Sequence, residues 1–340
     1  MMNYKKIIVP IAVIIIVIGV VLIFFLPEES EDTLHATTDP FLWKIEGENP
    51  SYLYGSIHVG TEEVLTLPDV VYNAINNADA VYTEVKMDFS TQMLSLSYYL
   101  LPHDQTLEDL LPDDVENSLK SYLDEKNYAF LGYNSYKIWV VVISLLQIEY
   151  KEYYQISSLD KYVWNIAEDK GKTTNGLETY EEQLSIFDNL TIDEQIQFLN
   201  DSLYYLNQDI AAGMNSLELT INAYLEGDIG TLQDLEYKDY NKSDPLYDKL
   251  LTKILANRNH NMSERISDLI TNNPDTKYFF TIGAAHFYGE DNIIQLLENE
   301  GYTITEVPFT KCSSCGCDNG EKKIKNRCYY PYDEEYSSLI

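Results

Sequence analysis

Apolar positions along the chain fall into three patterns. The first is a block. Ile7 to Leu26 is a continuous run of apolar or small residues in which Pro10 and Gly19 alone disfavour a helix. At about 1.5 Å per helical residue, such a run spans the roughly 30 Å hydrocarbon core of a bilayer. The second pattern is short apolar or alternating runs bounded by turn residues. Phe41-Leu-Trp-Lys-Ile and Ser51-Tyr-Leu-Tyr flank Asn49-Pro50 and predict a β-hairpin. Ala80-Val-Tyr-Thr-Glu84-Val, Thr173 to Glu178, Tyr278-Phe-Phe-Thr-Ile-Gly283 and Tyr302-Thr-Ile-Thr-Glu306-Val predict further strands. The third pattern is helical. Leu67-Pro68-Asp69 predicts a helix start with proline at N1, and Val70, Val71, Ala74, Ile75 and Ala78 supply its apolar face.

From about Thr91 to Thr271 the helical period dominates, with helices predicted near 114–126, 136–150, 157–170, 192–208, 210–226, 246–257 and 262–272. Asp113-x-x-Glu116, Thr179-x-x-Glu182 and Thr191-x-x-Glu194 fit the capping box, in which side chains satisfy free N–H groups of the first turn. Gly171, just ahead of the Thr173 strand, fits a helix C′ position. Strand signals thus cluster at the two ends, with a large helical insert between them. The expected fold is α/β (α+β), with a sheet made from both ends of the domain and a helical lobe over it.

One motif recurs at the two ends. Ser51-Tyr-Leu-Tyr-Gly55-Ser-Ile-His58 and Tyr278-Phe-Phe-Thr-Ile-Gly283-Ala-Ala-His286 each run from a strand into Gly-x-x-His. Each is followed by a helical stretch and a strand carrying a glutamate, Glu84 in the first and Glu306 in the second. The predicted sheet is therefore built from two β–GxxH–α–β units. Two of the chain's five histidines sit in this pattern. At comparable strand ends of one sheet, His58 and His286 would share a pocket with Glu84, and such a set can ligate a divalent metal such as Mn, Co or Zn. Each glycine before a histidine predicts close backbone approach or positive φ.

Charge sets the surroundings. The formal net charge is −32, and Lys5 and Lys6 are the only charged residues among the first 26, so the acidity belongs to the remainder. Such a surface repels nucleic acid and anionic lipid. Lys5 and Lys6 before the apolar run, with Glu28, Glu29, Glu31 and Asp32 after it, orient the N-terminus to the cytoplasm and the rest outside. A cleaved signal peptide is the rival reading; against it, no small-x-small cleavage site follows Leu26. The resulting organisation is a cytoplasmic stub at 1–6, a transmembrane anchor at 7–26, an acidic linker at 27–40, a globular domain at 41–309 and a Cys-rich tail at 310–340. The tail holds all four cysteines, Cys312, Cys315, Cys317 and Cys328. Outside the membrane two disulfides are expected, with a four-thiolate zinc site as the alternative.

Several stretches in order resemble the TraB/GumN (TraB/PrgY/GumN) family, which is related to the Tiki proteases. They are Tyr54-Gly-Ser-Ile-His58-Val-Gly60, Glu84 in its strand, Leu159-Asp160, Gly176-Leu-Glu178-Thr-x-x-Glu-Gln183, Asn257-Arg258-Asn259 before Met262, and Gly283-Ala-Ala-His286-x-x-Gly289. The resemblance covers roughly residues 41 to 309. It implies His58, His286 and Glu84 as active-site residues and a metal-dependent protease acting outside the cell, with Glu84 as third ligand or general base. It also admits the other behaviour found among such relatives, capture of a peptide or haem without cleavage.

Other residues follow from their setting. Arg258 is the only arginine before Arg265, suited to neutralising a buried carboxylate or gripping a substrate. Glu178, Gln183 and Asn259 are candidate substrate contacts, and Asp160 a helix cap or an orienting group. His35, His103 and His260 lack supporting context. A G-x-S-x-G elbow, a Walker loop, HExxH and the Rossmann glycine pattern are all missing from the sequence. The sequence therefore predicts a membrane-anchored extracytoplasmic hydrolase acting on a peptide or small molecule.

Overall fold

The computed structural model describes residues 39–154, 156–237 and 244–308, with two short strands at 322–324 and 327–329. Residues 41–308 build a mixed α/β fold around a six-stranded sheet. β1 (Leu42–Ile45) and β2 (Ser51–Ser56) form the expected hairpin, with Trp43 opposite Leu53. β3 (Ala80–Val85), β4 (Thr173–Glu178), β5 (Tyr278–Gly283) and β6 (Ile304–Glu306) complete the sheet in the order β4-β3-β5-β2-β1-β6. β2, β5, β3 and β4 are parallel, so their C-terminal ends lie along one side. β1 and β6 are antiparallel additions at one edge. The central strand β5 is buried along its whole length, which explains its nearly continuous apolar sequence.

Helix α1 (Asp69–Asn77) connects β2 to β3. Between β3 and β4 lie α2 (Phe89–Ser95), α3 (Asp113–Glu125), α4 (Ile138–Glu149) and α5 (Leu159–Asp169). Between β4 and β5 lie α6 (Tyr180–Asp188), α7 (Ile192–Ala212), α8 (Ser216–Glu226), α9 (Ile229–Tyr237), α10 (Pro245–Leu251) and α11 (Asn257–Asn272). α12 (Ile293–Asn299) precedes β6. In the lobe, the apolar residues of α4 surround the helix on nearly all sides and are buried in the same core as the sheet, as an interior helix requires. There Trp139 stacks on Phe187 at 5.8 Å, and its indole N–H donates to Asp188 at 3.1 Å.

The expectations fail in specific places. Pro68 is the N-cap of α1, one position before N1. The break near residue 210 falls at Gly213, which ends α7 in the left-handed region at φ 63°. The helices expected at 246–257 and 262–272 are joined, because α10 passes through a π-helical turn at Thr252–Ala256 directly into α11. Asn257, Asn259 and Asn261 favour competing local hydrogen bonds and read as a break, but buried packing of Met262 and Ile266 carries the helix through. The helix α9 was not anticipated. Capping boxes form at Thr179–Glu182 and Thr191–Glu194, and also at Thr106–Asp109, whereas Asp113 caps nothing because Pro112 takes the N-cap place.

The two-unit symmetry also breaks. β3 returns beside β5 in parallel, but β6 crosses to the far edge and pairs antiparallel with β1. Glu306 therefore sits opposite Trp43, exposed, and far along the sheet order from Glu84. Among the described residues no helix is long and apolar enough to cross a membrane. The predicted span, the linker up to residue 38, His35 and Cys312, Cys315 and Cys317 lie outside the described residues. In the tail, Lys322–Ile324 pairs antiparallel with Arg327–Tyr329.

Candidate functional site

Parallel strands place their next residues together at their C-terminal ends, and here four strands deliver four groups. β2 ends at Ser56 and continues to His58. β3 brings Glu84 in its penultimate position, and β4 ends on Glu178. β5 ends at Gly283, and a short 3₁₀ turn, Ala284–Phe287, carries His286. The register sets Ser56 beside Gly283, so the two motifs are offset by one residue rather than equivalent. Gly55 is needed for close approach: a Cβ there would lie 2.7 Å from Phe41 Cβ. Neither Gly55 nor Gly283 has positive φ, so that part of the expectation fails.

Both oxygens of Glu84 accept hydrogen bonds. Its Oε1 accepts the Gly283 N–H at 2.7 Å. Its Oε2 accepts from Arg258 Nη2 at 2.6 Å and from Gln183 Nε2 at 3.1 Å. Arg258 turns the rest of its fork to Glu178, with Nε 2.9 Å and Nη2 2.7 Å from Oε2. Gln183 also donates to Glu178 at 3.1 Å. Arg258 stands immediately after the π-helical turn, a local widening that often accompanies functional positions. Burial lowers the guanidinium's proton affinity, but the adjacent Glu178 and Glu84 charges outweigh it and hold its pKa above the usual value.

The histidines face this carboxylate from two sides. His58 Nε2 is 3.9 Å from Glu84 Oε2, and His286 Nε2 is 3.7 Å from Oε1. Both Nε2 atoms are buried without a hydrogen-bond partner. Their other nitrogens are fixed. His58 Nδ1 meets Asp160 Oδ2 at 2.6 Å, and Asp160 Oδ1 accepts the Ser56 hydroxyl at 2.5 Å. His286 Nδ1 meets Asn259 Oδ1 at 2.5 Å, while the Asn259 amide donates to the Asp291 carbonyl at 2.9 Å. Carboxylate and amide oxygens accept only, so both Nδ1 atoms carry a proton, and each Nε2, when its ring is neutral, presents a lone pair toward Glu84. Burial pushes His286 well below the ordinary imidazole value, reinforced by Arg258 and by His58. Burial acts the same way on His58, but Asp160 and then Glu84 outweigh it and hold His58 above that value.

Every residue of the expected set is therefore in one buried cluster. None of His58, Glu84, Glu178, Gln183, Arg258, Asn259 and His286 exceeds 6% exposure. Glu178, Gln183 and Asn259, expected to touch substrate, have their partners inside the cluster. Asp160 is not a cap; Ser158 is, and Asp160 holds His58 instead. Ser56 was overlooked, although its place two residues before His58 puts both side chains on one face of an extended segment. His103 and His260 stand apart, His260 being exposed beside Asp291. A groove of about 300 Å³ lined by Tyr82, Asn175, Leu177 and Arg265 holds none of the cluster's charged groups.

The donor set suits a divalent cation in kind. Two imidazole Nε2 atoms are buried at Glu84 without hydrogen-bond partners, and the cluster holds three carboxylates, Glu84, Glu178 and Asp160, and one guanidinium, a formal excess of negative charge. As it stands the spacing is open. Among the described residues no three His, Cys, Asp or Glu side chains are placed to hold a metal ion. Ligands at about 2 Å from a tetrahedral centre lie roughly 3.3 Å apart, and both Nε2–Glu84 separations, 3.9 and 3.7 Å, exceed that.

Comparison with known proteins bears on the same residues. The Metalloprotease TIKI homolog of Amphimedon queenslandica is 25% identical over 347 residues, covering 88% of this chain and 68% of its own. Metalloprotease TIKI1 of Danio rerio is 27% identical over 322 residues, with 82% and 65% covered. Uncharacterized protein YbaP of Shigella flexneri is 24% identical over 262 residues, with 74% and 89% covered. The chain spans roughly two thirds of the length of the metalloprotease relatives. No solved structure matches it. The model of the TraB/PrgY/gumN family matches residues 41–306, the whole of the sheet and both Gly-x-x-His turns, and the chain belongs to that family.

Proposed function

We propose that the chain is a membrane-anchored, extracytoplasmic, metal-dependent hydrolase, with a peptide as substrate. The observation that carries this reading is the pair of buried, partnerless Nε2 atoms set against the two oxygens of Glu84. Similarity to proteins named metalloproteases supports it. His58 and His286 would hold the divalent metal, Mn, Co or Zn, with Glu84 beside it. When bound, the metal would polarise a scissile carbonyl and lower the pKa of its water. Glu84 Oε2 is saturated by Arg258 and Gln183. Oε1 takes the Gly283 N–H and retains lone-pair capacity, which makes it the oxygen able to ligate or to accept a proton. Arg258 holds the Glu84 carboxylate in place. Residues 7–26 supply the anchor, and the acidic surface excludes nucleic acid as partner.

A second reading has its own support. Glu84 is locked by three donors, which ties up the carboxylate that cleavage would need and suits a protein that captures a peptide or haem without cutting it. Purification of the full chain with metal analysis separates the two. One equivalent of divalent metal, with peptide cleavage abolished by chelation, is expected. Tight peptide or haem binding with no turnover in any of the three metals would establish the second reading instead. Protease treatment of intact cells should digest the chain beyond residue 30, and full protection would reverse the topology.

A further inference from the structure

His58 and His286 share a tautomer but not a partner. The oxygen on His58 Nδ1 belongs to a carboxylate, Asp160, at 2.6 Å. The oxygen on His286 Nδ1 belongs to a neutral amide, Asn259, at 2.5 Å. Asp160 is itself fixed, since Ser56 donates to its other oxygen, and it is 1% exposed at the first turn of α5. Asn259 is fixed by donation to the Asp291 carbonyl. Geometry is thus matched on the two sides, and charge is not. A carboxylate behind an imidazole N–H increases electron density on the opposite nitrogen, and such outer partners change metal affinity by roughly 10–100-fold when altered.

We propose that Asp160, held by Ser56, is a positioning residue that makes His58 the stronger donor at this site, and that Asn259 keeps His286 the weaker one. The pair would give the site one firm nitrogen ligand and one that can lengthen or yield. Neutral Asn259 also limits the accumulation of negative charge, since Glu84 and Glu178 already share one arginine and Asp160 sits on His58. This inference rests on the metal-site reading above.

The test exploits the near-isosteric exchange of the two partners. Full chain in detergent, as wild type, Asp160→Asn and Asn259→Asp, is titrated with Co²⁺ alone and followed by calorimetry and visible absorption. In parallel, ¹⁵N-histidine NMR of the metal-free proteins reports each tautomer. Expected are Nδ1–H for His58 and His286 in wild type and in Asp160→Asn, a roughly 10-fold or greater loss of Co²⁺ affinity in Asp160→Asn, and a gain in Asn259→Asp. Thermal melts confirm that each variant folds, and either variant alone suffices to read the direction. Unchanged affinity in a folded variant, a shift of both in one direction, or an Nε2–H tautomer for His58 in wild type would overturn the proposal while leaving a metal site intact. Failure of wild type to bind Co²⁺, Mn²⁺ or Zn²⁺ at one equivalent would instead remove the metal-site reading, and the donor ranking with it.

Discussion

His58 Nε2 and His286 Nε2 approach opposite oxygens of the Glu84 carboxylate, at 3.9 and 3.7 Å, although 228 residues separate the two histidines. Removing either imidazole removes one of two nitrogen donors. His58→Ala and His286→Ala should each lose stoichiometric metal, measured by elemental analysis after gel filtration. A full equivalent retained by both variants would exclude the imidazole pair as the binding site. Glu84→Gln is a poor probe. The new amide would place an N–H₂ against Arg258, Gln183 or the Gly283 N–H, so instability accompanies any change in chemistry.

Arg258 joins two buried carboxylates and is itself 4% exposed. Arg258→Ala should cost about 3–5 kcal/mol, because it strands Glu84 and Glu178 without a cation. Arg258→Lys should recover little, since one ammonium cannot reproduce the fork that spans both glutamates. Denaturant unfolding of the three proteins checks this. A lysine variant as stable as wild type would show that charge alone, without the fork, is sufficient.

The metal-free protein should lose stability in mild acid through His286. Its folded pKa lies well below the ordinary value of about 6.5, so just below that pH the unfolded chain binds a proton that the native state refuses. The contribution of His286 is therefore present above about 6.5 and declines as pH falls toward its folded pKa. His58, whose folded pKa is raised, acts oppositely: it stabilises below about 6.5 and that contribution fades as pH rises through the folded value. Midpoints of denaturation between pH 5 and 8 for wild type and His286→Gln isolate the first effect. The variant should show the shallower decline on the acid side, and an equal or steeper one would contradict the assignment.

Gly60 is a steric prediction. Its N–H donates to the Tyr153 carbonyl, and an added Cβ would lie 2.0 Å from the Ser157 carbonyl oxygen. Gly60→Ala must push this loop away from the start of α5, costing roughly 1–3 kcal/mol as overpacking does. The same shift would displace Asp160 from His58. A melting temperature within a degree of wild type would show that the loop yields freely.

The tail should be dispensable. The sheet closes with β6 against β1, and a chain ending at Thr310 retains that pairing. It should stay soluble and melt cooperatively. Aggregation or a broadened transition would mean that residues beyond 310 cover part of the core.

Strands and their chemistry were legible because local sequence and burial agree there. The unbroken apolar run of β5, the hairpin around Asn49-Pro50 and Glu84 within an otherwise apolar strand each follow from side-chain type alone. What escaped depends on contacts distant in sequence. Nothing near Asn257 announces that α10 and α11 join through a π turn, since packing overrides the propensity of the asparagines. The parallel between Glu84 and Glu306 misled because strand order is a long-range property: matching local motifs end in a central strand in one case and an edge strand in the other. The orienting role of Asp160 was one of two readings its position allowed, whereas Ser56 and Asn259 acquire theirs only when separate segments meet at the two imidazoles.

The position of β5 also fixes when, in the life of the chain, the site comes into existence. β5 lies between β3 and β2, yet the Gly283 amide that receives Glu84 is made 199 residues after it. Until β5 emerges from the ribosome, β2 and β3 have no native partner between them and Glu84 faces no amide. Closure over such sequence distances is slow and leaves apolar strand edges open meanwhile. A nascent or truncated product that stops short of Gly283 therefore lacks the strand that joins the cluster and the amide that holds Glu84. A cell making this protein carries, until then, an interval of exposure to aggregation.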